Sequence, residues 1–201
     1  MNRFDIAAKE WDTKPTSQLV AKSTSEIMRE NISLEDKEIL DYGCGTGLLA
    51  FSISDEAKRV TGMDNSAGMV EVFNQKAQDF GFTNIKAVQH NIDNEELPQN
   101  TFDIIVTSMT LHHIQNPNDF FIKCKKALKP NGYLCISDLD EEDGTFHEKH
   151  KNDGVHHFGF SKAQMAQFYT NNGYTLIYLD DICTLERKNG NFPIFLSIGQ
   201  I

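Results

Sequence analysis

The chain has 201 residues, 39% of them hydrophobic and 14 of them Phe, enough for a single folded domain with a sizeable core. Its formal net charge is −10, with no basic cluster, so nucleic acid is not an expected partner, because phosphate contacts dominate such binding. No run approaches the roughly 20 apolar residues of a membrane span, no basic and apolar leader opens the chain, and the four cysteines are scattered. A cytoplasmic protein with free thiols and no membrane partner is expected.

In chain order, Phe4, Ile6, Ala7, Ala8 and Trp11 share a helical face, and Pro15 ends that helix. A second helix is expected over 16–31, with Leu19, Val20, Ile27 and Met28 buried. The apolar pair Ile39-Leu40 ends in Asp41, and Tyr42-Gly43-Cys44-Gly45-Thr46-Gly47 leads into a helix running to about Ala57. Strand, glycine loop and helix in that order make a seat for a nucleotide-like ligand. Glycines accept positive φ and let a ligand approach the backbone, and a helix start offers N–H groups. The spacing is G-x-G-x-G, with Leu48 where the G-x-G-x-x-G of dinucleotide folds places its third glycine. Asp41 is out of place beside a pyrophosphate and suits a cationic group such as an ammonium.

Residues 59–64 read as a second strand whose terminal Asp64 can accept hydrogen bonds from vicinal ribose hydroxyls. Asn65 or Ser66 caps the next helix, which Gly81 ends. A third strand over 84–88 leads into His90-Asn91-Ile92-Asp93, and a fourth over 101–108 into Met109-Thr110-Leu111-His112-His113. A helix from Pro117 to about Lys129 precedes a fifth strand over 133–138. The stretch 138–160 opens with Asp138, Asp140, Glu141, Glu142 and Asp143 and goes on to His147, His150, His156 and His157. A helix over 161–172 and two strands, 174–185 and 192–198, close the chain around a hairpin turn at 188–191.

Four stretches resemble the class I S-adenosylmethionine-dependent methyltransferases. Residues 39–47 are similar to that family's (V/L)LDxGCGTG, and "GMDNSAGMV" (62–70) to G-x-D-x-S-x-x-M. Residues 108–113 are similar to S-x-x-L-H-H, and "LKPNGYLCISD" (128–138) to L-K-P-G-G-x-L, with Asn131 in place of a glycine. Asn also tolerates the left-handed turn conformation. The resemblance covers residues 36–201. It implies an α/β, Rossmann-like class I fold: a seven-stranded, mostly parallel sheet with an antiparallel C-terminal strand pair and helices on both faces. The whole chain is then one methyltransferase domain, with 1–36 an N-terminal helical lid and 138–160 a substrate-side insertion.

The resemblance also implies S-adenosylmethionine as cofactor, S-adenosylhomocysteine as product and a small-molecule acceptor. Asp41, Tyr42, Gly43, Cys44, Gly45 and Gly47 would hold the methionine end, and Asp64 and Asn65 the ribose. Met69 and Asn91 to Asp93 would surround the adenine, Asn91 or Asp93 accepting from its amine and Ile92 lending a backbone N–H. Ser108 and Met109 lie on the same edge, and Trp11 either closes the site or packs in the core. His112 and His113 fall beside the methyl group, one facing the acceptor and the other packing into the sheet. His147, with His156 behind it, is a further candidate base. The spacing H-x-x-H-x5-H-H fits no metal motif, so no metal is expected. Two other readings remain: a regulator that binds the nucleoside without turnover, and a nicotinamide-dependent oxidoreductase, which the glycine spacing disfavours.

Overall fold

A computed structural model describes residues 3–147 and 154–201, so His150 of the predicted substrate-side stretch lies outside the described residues. Five strands, β1 (Glu38–Tyr42), β2 (Arg59–Asp64), β3 (Ile85–Gln89), β4 (Phe102–Ser108) and β5 (Leu128–Leu139), pair in parallel in the order β3-β2-β1-β4-β5. The hairpin β6 (Thr175–Arg187) and β7 (Gly190–Gln200) completes the sheet, with β7 antiparallel to both β5 and β6. The order reverses between β1 and β4, and such a switch point leaves a crevice at the carboxyl ends of the strands.

Helices cover both faces, so the middle of the central β4 is a continuous apolar run: Ile104, Ile105 and Val106 are all fully buried. Alternation sends Ile105 into one core cluster, with Phe120 and Phe121 of α5 (Pro117–Ala127), and Ile104 and Val106 into the other. That second cluster holds Met28 of α2 (Pro15–Asn31), Ile53 of α3 (Leu48–Ile53) and Phe73 of α4 (Ala67–Asp79). The remaining helices are α1 (Arg3–Ala7), continued by a 3-10 turn over Ala8–Thr13, and α6 (Lys162–Asn171), which starts in a Ser161–Gln164 capping box.

The expected elements are present, with shifted ends. The helix after the glycine loop stops at Ile53, and β5 begins at Leu128, where Asn131 takes φ +63° inside the predicted turn. No helix among the described residues is long and apolar enough to cross a membrane.

Candidate cofactor and acceptor site

All the predicted cofactor residues except Gly47 line one cavity of about 160 Å³ over the β1–β4 switch point. Asp41 forms its floor. It is 2% exposed, and its Oδ2 has no hydrogen-bond partner among the described residues. Burial, and then the neighbouring Asp64 carboxylate, push its pKa up to about 7. Asp64, by contrast, is tied down: Gly45 N–H donates to Oδ2 at 2.9 Å and Ser66 N–H to Oδ1 at 2.8 Å. Burial still raises its pKa. The Cys44 thiol is likewise raised by burial and stays neutral against the cavity wall.

The loop glycines have separate tasks. Gly43, Gly45 and Gly47 all have positive φ, at +71°, +52° and +92°. A Cβ on Gly43 would overlap the Thr110 side chain, whereas one on Gly45 would stand 3.8 Å from Trp11 Nε1, across the cavity. Gly47 departs from the expectation in standing off the cavity lining: it is the N-cap of α3, and a Cβ there would come within 2.6 Å of Phe73 and 2.7 Å of Phe51, so packing as well as φ requires a glycine. A second correction concerns Ile92, whose N–H is donated to Tyr42 Oη at 2.8 Å. Asn91 Oδ1 already accepts Asp93 N–H at 3.0 Å, which leaves the exposed Asp93 carboxylate at the cavity rim as the better acceptor for an amine.

The N-terminal segment is strapped across this cavity by two carboxylates. Asp5 Oδ1 accepts from Ser66 Oγ at 2.6 Å and Gly68 N at 3.0 Å. Asp12 accepts from Thr46 Oγ1 and from Lys76 Nζ, and Lys76 also donates to Thr46 O at 2.9 Å. Trp11 is half-buried between these pins and lines both this cavity and the next.

A second cavity, of about 440 Å³, adjoins the first and shares with it Phe4, Trp11, Ser17, Val20, Met109 and His113. At its base lie His112 and Asp138, 1% and 0% exposed, with His112 Nδ1 2.6 Å from Asp138 Oδ1. The carboxylate also accepts from the backbone N–H of His112 and Leu139. Burial alone would raise the Asp138 pKa, but the His112 charge and these bonds hold it below the usual range. An ionised Asp138 places the His112 proton on Nδ1 and leaves Nε2 to the cavity. That Nε2 stands 3.3 Å from His147 Nε2.

His113 Nδ1 donates to Gly154 O at 2.6 Å, and its Nε2 faces Arg3 Nη2 at 3.5 Å. Burial first, and then the charges of His112 and Arg3, lower the His113 pKa to about 3. Burial, His112, Arg3 and Arg187 lower that of His147 to about 4. Both are weak bases near neutral pH. His156 and His157 do not line either cavity; their backbone N–H groups hold His112 O. The acids of the same stretch mostly close turns, Glu142 accepting from Thr145 N and Phe146 N and Asp143 from Thr145 Oγ1.

His112, His113 and His147 place ligand atoms within 4.8 Å of one another, a grouping that the expectation of no metal did not foresee. The 3.3 Å His112–His147 spacing is near the edge of a tetrahedron with bonds of roughly 2.0–2.1 Å. The Arg3 guanidinium, however, points at the third nitrogen, and a dication there would meet its charge.

A sequence model of the methyltransferase domain family matches residues 33–181. The chain belongs to that family. An uncharacterised methyltransferase of Schizosaccharomyces pombe is 32% identical over 146 residues, covering 66% of this chain and 51% of its own. The ubiquinone biosynthesis O-methyltransferase of Pasteurella multocida is 31% identical over 157 residues, covering 70% of this chain and 64% of its own. The chain thus spans between half and two thirds of the length of the curated relatives it matches. A solved SAM-dependent methyltransferase from Aquifex aeolicus shares the fold with a TM-score of 0.76 at 21% identity, covering 98% of each chain.

In this member of the family the residues that the sequence reading missed are those that meet across long separations. Asp138 had a local signal, an acid at a strand end like Asp41 and Asp64, but nothing marked His112 as its partner. Arg187, on the β6–β7 hairpin, reaches the second cavity through tertiary packing alone.

Proposed function

We propose that this methyltransferase transfers the methyl group of S-adenosylmethionine to a small acceptor bound in the second cavity. The observation that carries the reading is the buried, unpartnered Oδ2 of Asp41 at the floor of the first cavity. An amino-acid ammonium fits that orphan, since it supplies both the missing donor and the charge that ionises the carboxylate. Asp64 receives the ribose hydroxyls, Asp93 the adenine amine, and Met69 an adenine face. The segment Arg3–Thr13, pinned by Asp5 and Asp12, acts as the lid and Trp11 closes it, whereas the rest of the expected lid packs in the core through Met28, Ile32 and Leu34.

The cofactor supplies an electrophilic methyl on a sulfonium. The chain's own residues orient the acceptor, exclude water and take its proton. His112 accepts that proton at Nε2 as general base, Asp138 holds its tautomer and balances the imidazolium, and His147 relays the proton outward. The ubiquinone O-methyltransferase relatives support an oxygen nucleophile, which must lose a proton on methylation. No metal is assigned, because Arg3 faces the histidine group.

Calorimetric titration with S-adenosylmethionine, S-adenosylhomocysteine and NAD, repeated on Asp64→Ala, tests the reading. Micromolar binding of the two S-adenosyl ligands, weakened by the substitution and absent for NAD, supports it. Binding of NAD alone, or of none of the three, overturns it.

A further inference from the structure

A lysine ammonium is costly to bury unless its donors find partners. Lys123, on α5, is nevertheless only 7% exposed. Its Nζ donates to Ile92 O at 2.5 Å and to Glu95 O at 3.3 Å, and it lies 3.3 Å from Asp119 Oδ2 and 3.8 Å from Glu96 Oε1. Apart from Asp119 of its own helix, these partners all belong to the turn 91–96 that follows β3. That turn is also closed from within: Asn91 O accepts the N–H groups of Asn94 and Glu95, and Glu95 Oε1 accepts Asn91 N–H at 2.8 Å. Tyr42 Oη takes the Ile92 N–H, and the Tyr42 ring leans on Phe120 of α5 with 5.6 Å between ring centres. Helix α5 therefore holds both backbone polar groups of Ile92, the carbonyl directly through Lys123 and the N–H by way of Tyr42. The next residue, Asp93, stands at the rim of the first cavity, whereas Lys123 lines neither cavity.

We propose that Lys123 is a positioning residue for the base end of the cofactor: by holding Ile92 O and Glu95 O it fixes the turn that presents the Asp93 carboxylate to the adenine amine. The inference rests on the proposed cofactor site and adds to it a residue that acts only through Asp93. Without the ammonium, the buried Ile92 carbonyl loses its donor, and the turn relieves that cost by moving towards water. Asp93 then has to be ordered again each time the base binds, which weakens the contact that tells an amine from a carbonyl. The methionine end, held by Asp41 and the glycine loop, is left as it was.

The test titrates the whole chain with S-adenosylhomocysteine and with S-inosylhomocysteine, whose base bears a carbonyl in place of the adenine amine. The wild type is expected to bind the adenosyl ligand about tenfold or more tightly than the inosyl one. In Lys123→Met the adenosyl ligand should weaken by about tenfold and the inosyl ligand by less than about threefold, so that the preference collapses. Lys123→Arg, which can donate to the same carbonyls, should keep most of it. Adding Lys123→Met to Asp93→Ala should change the ratio no further, because the lysine acts through that carboxylate. A substitution that merely loosens the fold weakens both ligands alike and leaves the ratio unchanged. If Lys123→Met does not fold, Lys123→Gln is read in the same way. An unchanged preference in the folded variant, or a further fall when Asp93 is already alanine, overturns the inference while the cofactor reading stands. If the wild type binds S-adenosylhomocysteine without preferring it, the assignment of Asp93 to the amine falls and the inference with it, and if neither ligand binds, the cofactor reading itself fails.

Discussion

Asp41 and Asp64 lie at the carboxyl ends of adjacent strands in one cavity wall, in opposite states: both oxygens of Asp64 accept backbone N–H groups, while among the described residues Asp41 Oδ2 has no partner. The satisfied carboxylate helps to protonate the unsatisfied one, because Asp64 raises the Asp41 pKa. A cationic ligand reverses this by replacing the proton.

Asp41→Asn should therefore separate stability from binding. The Asp41 pKa rises from 3.8 to about 7 on folding. The folded state keeps a proton that the unfolded chain releases, so this contribution is complete below about pH 4 and is lost as pH rises through 7. About three pKa units correspond to about 4 kcal/mol. Asn removes the liability but buries an amide in need of partners. The ligand-free variant is expected to be about 1–3 kcal/mol more stable than the wild type at pH 8. Chemical denaturation at pH 5 and pH 8 checks this, the gain being confined to the higher pH.

Gly45→Ala and Gly47→Ala should fail differently. Alanine at Gly45 has room in the protein but intrudes on the cavity, so S-adenosylhomocysteine binding should weaken at a stability cost of about 1–2 kcal/mol from the positive φ. Alanine at Gly47 meets Phe73 and Phe51, adding about 1–3 kcal/mol of overpacking to the same strain. Melting curves beside calorimetric titrations distinguish the two.

The strap gives a kinetic expectation. Asp12→Ala removes the contacts to Thr46 and Lys76 that pin the N-terminal segment, so under the proposed lid S-adenosylhomocysteine should both enter and leave faster. Trp11 is the only Trp of the chain, and its fluorescence in stopped flow reports the motion directly. Unchanged rates would mean that the segment does not gate the site.

The histidines divide by environment. His112→Ala is expected to lower kcat by about 10²–10⁴-fold for an acceptor that loses a proton, whereas His147→Gln should cost less. His113, whose pKa falls to about 3 in the fold, resists protonation that the unfolded chain accepts near 6.5. Its contribution to stability is present above that value and is lost as pH falls from about 6.5 towards 3. His113→Gln should flatten acid unfolding across that window.

The sheet was legible in the sequence because its strands carry continuous apolar runs that end in recognisable acids and glycines, as at Asp41 and Asp64. The wall of the first cavity followed, since its residues sit at strand ends on one edge. The packing of Gly47 against Phe73 and Phe51 was not legible, because a glycine needed for φ and packing looks the same in sequence as one needed for a ligand. The Ile92 N–H was misassigned because Tyr42 Oη, fifty residues away, takes it. The wall of the second cavity was read least well: Arg3, Lys14 and Arg187 meet only through the fold, without any local spacing to announce them.

The most direct measurement is the proton balance of S-adenosylmethionine binding, from calorimetry at pH 6.0 in two buffers of different ionisation enthalpy. If the ammonium displaces the proton of Asp41, most of one proton is released at pH 6.0, little at pH 8.5, and none in Asp41→Asn, which binds at least about 100-fold more weakly. Binding without proton release at pH 6.0, or with the same affinity in Asp41→Asn, would contradict the account.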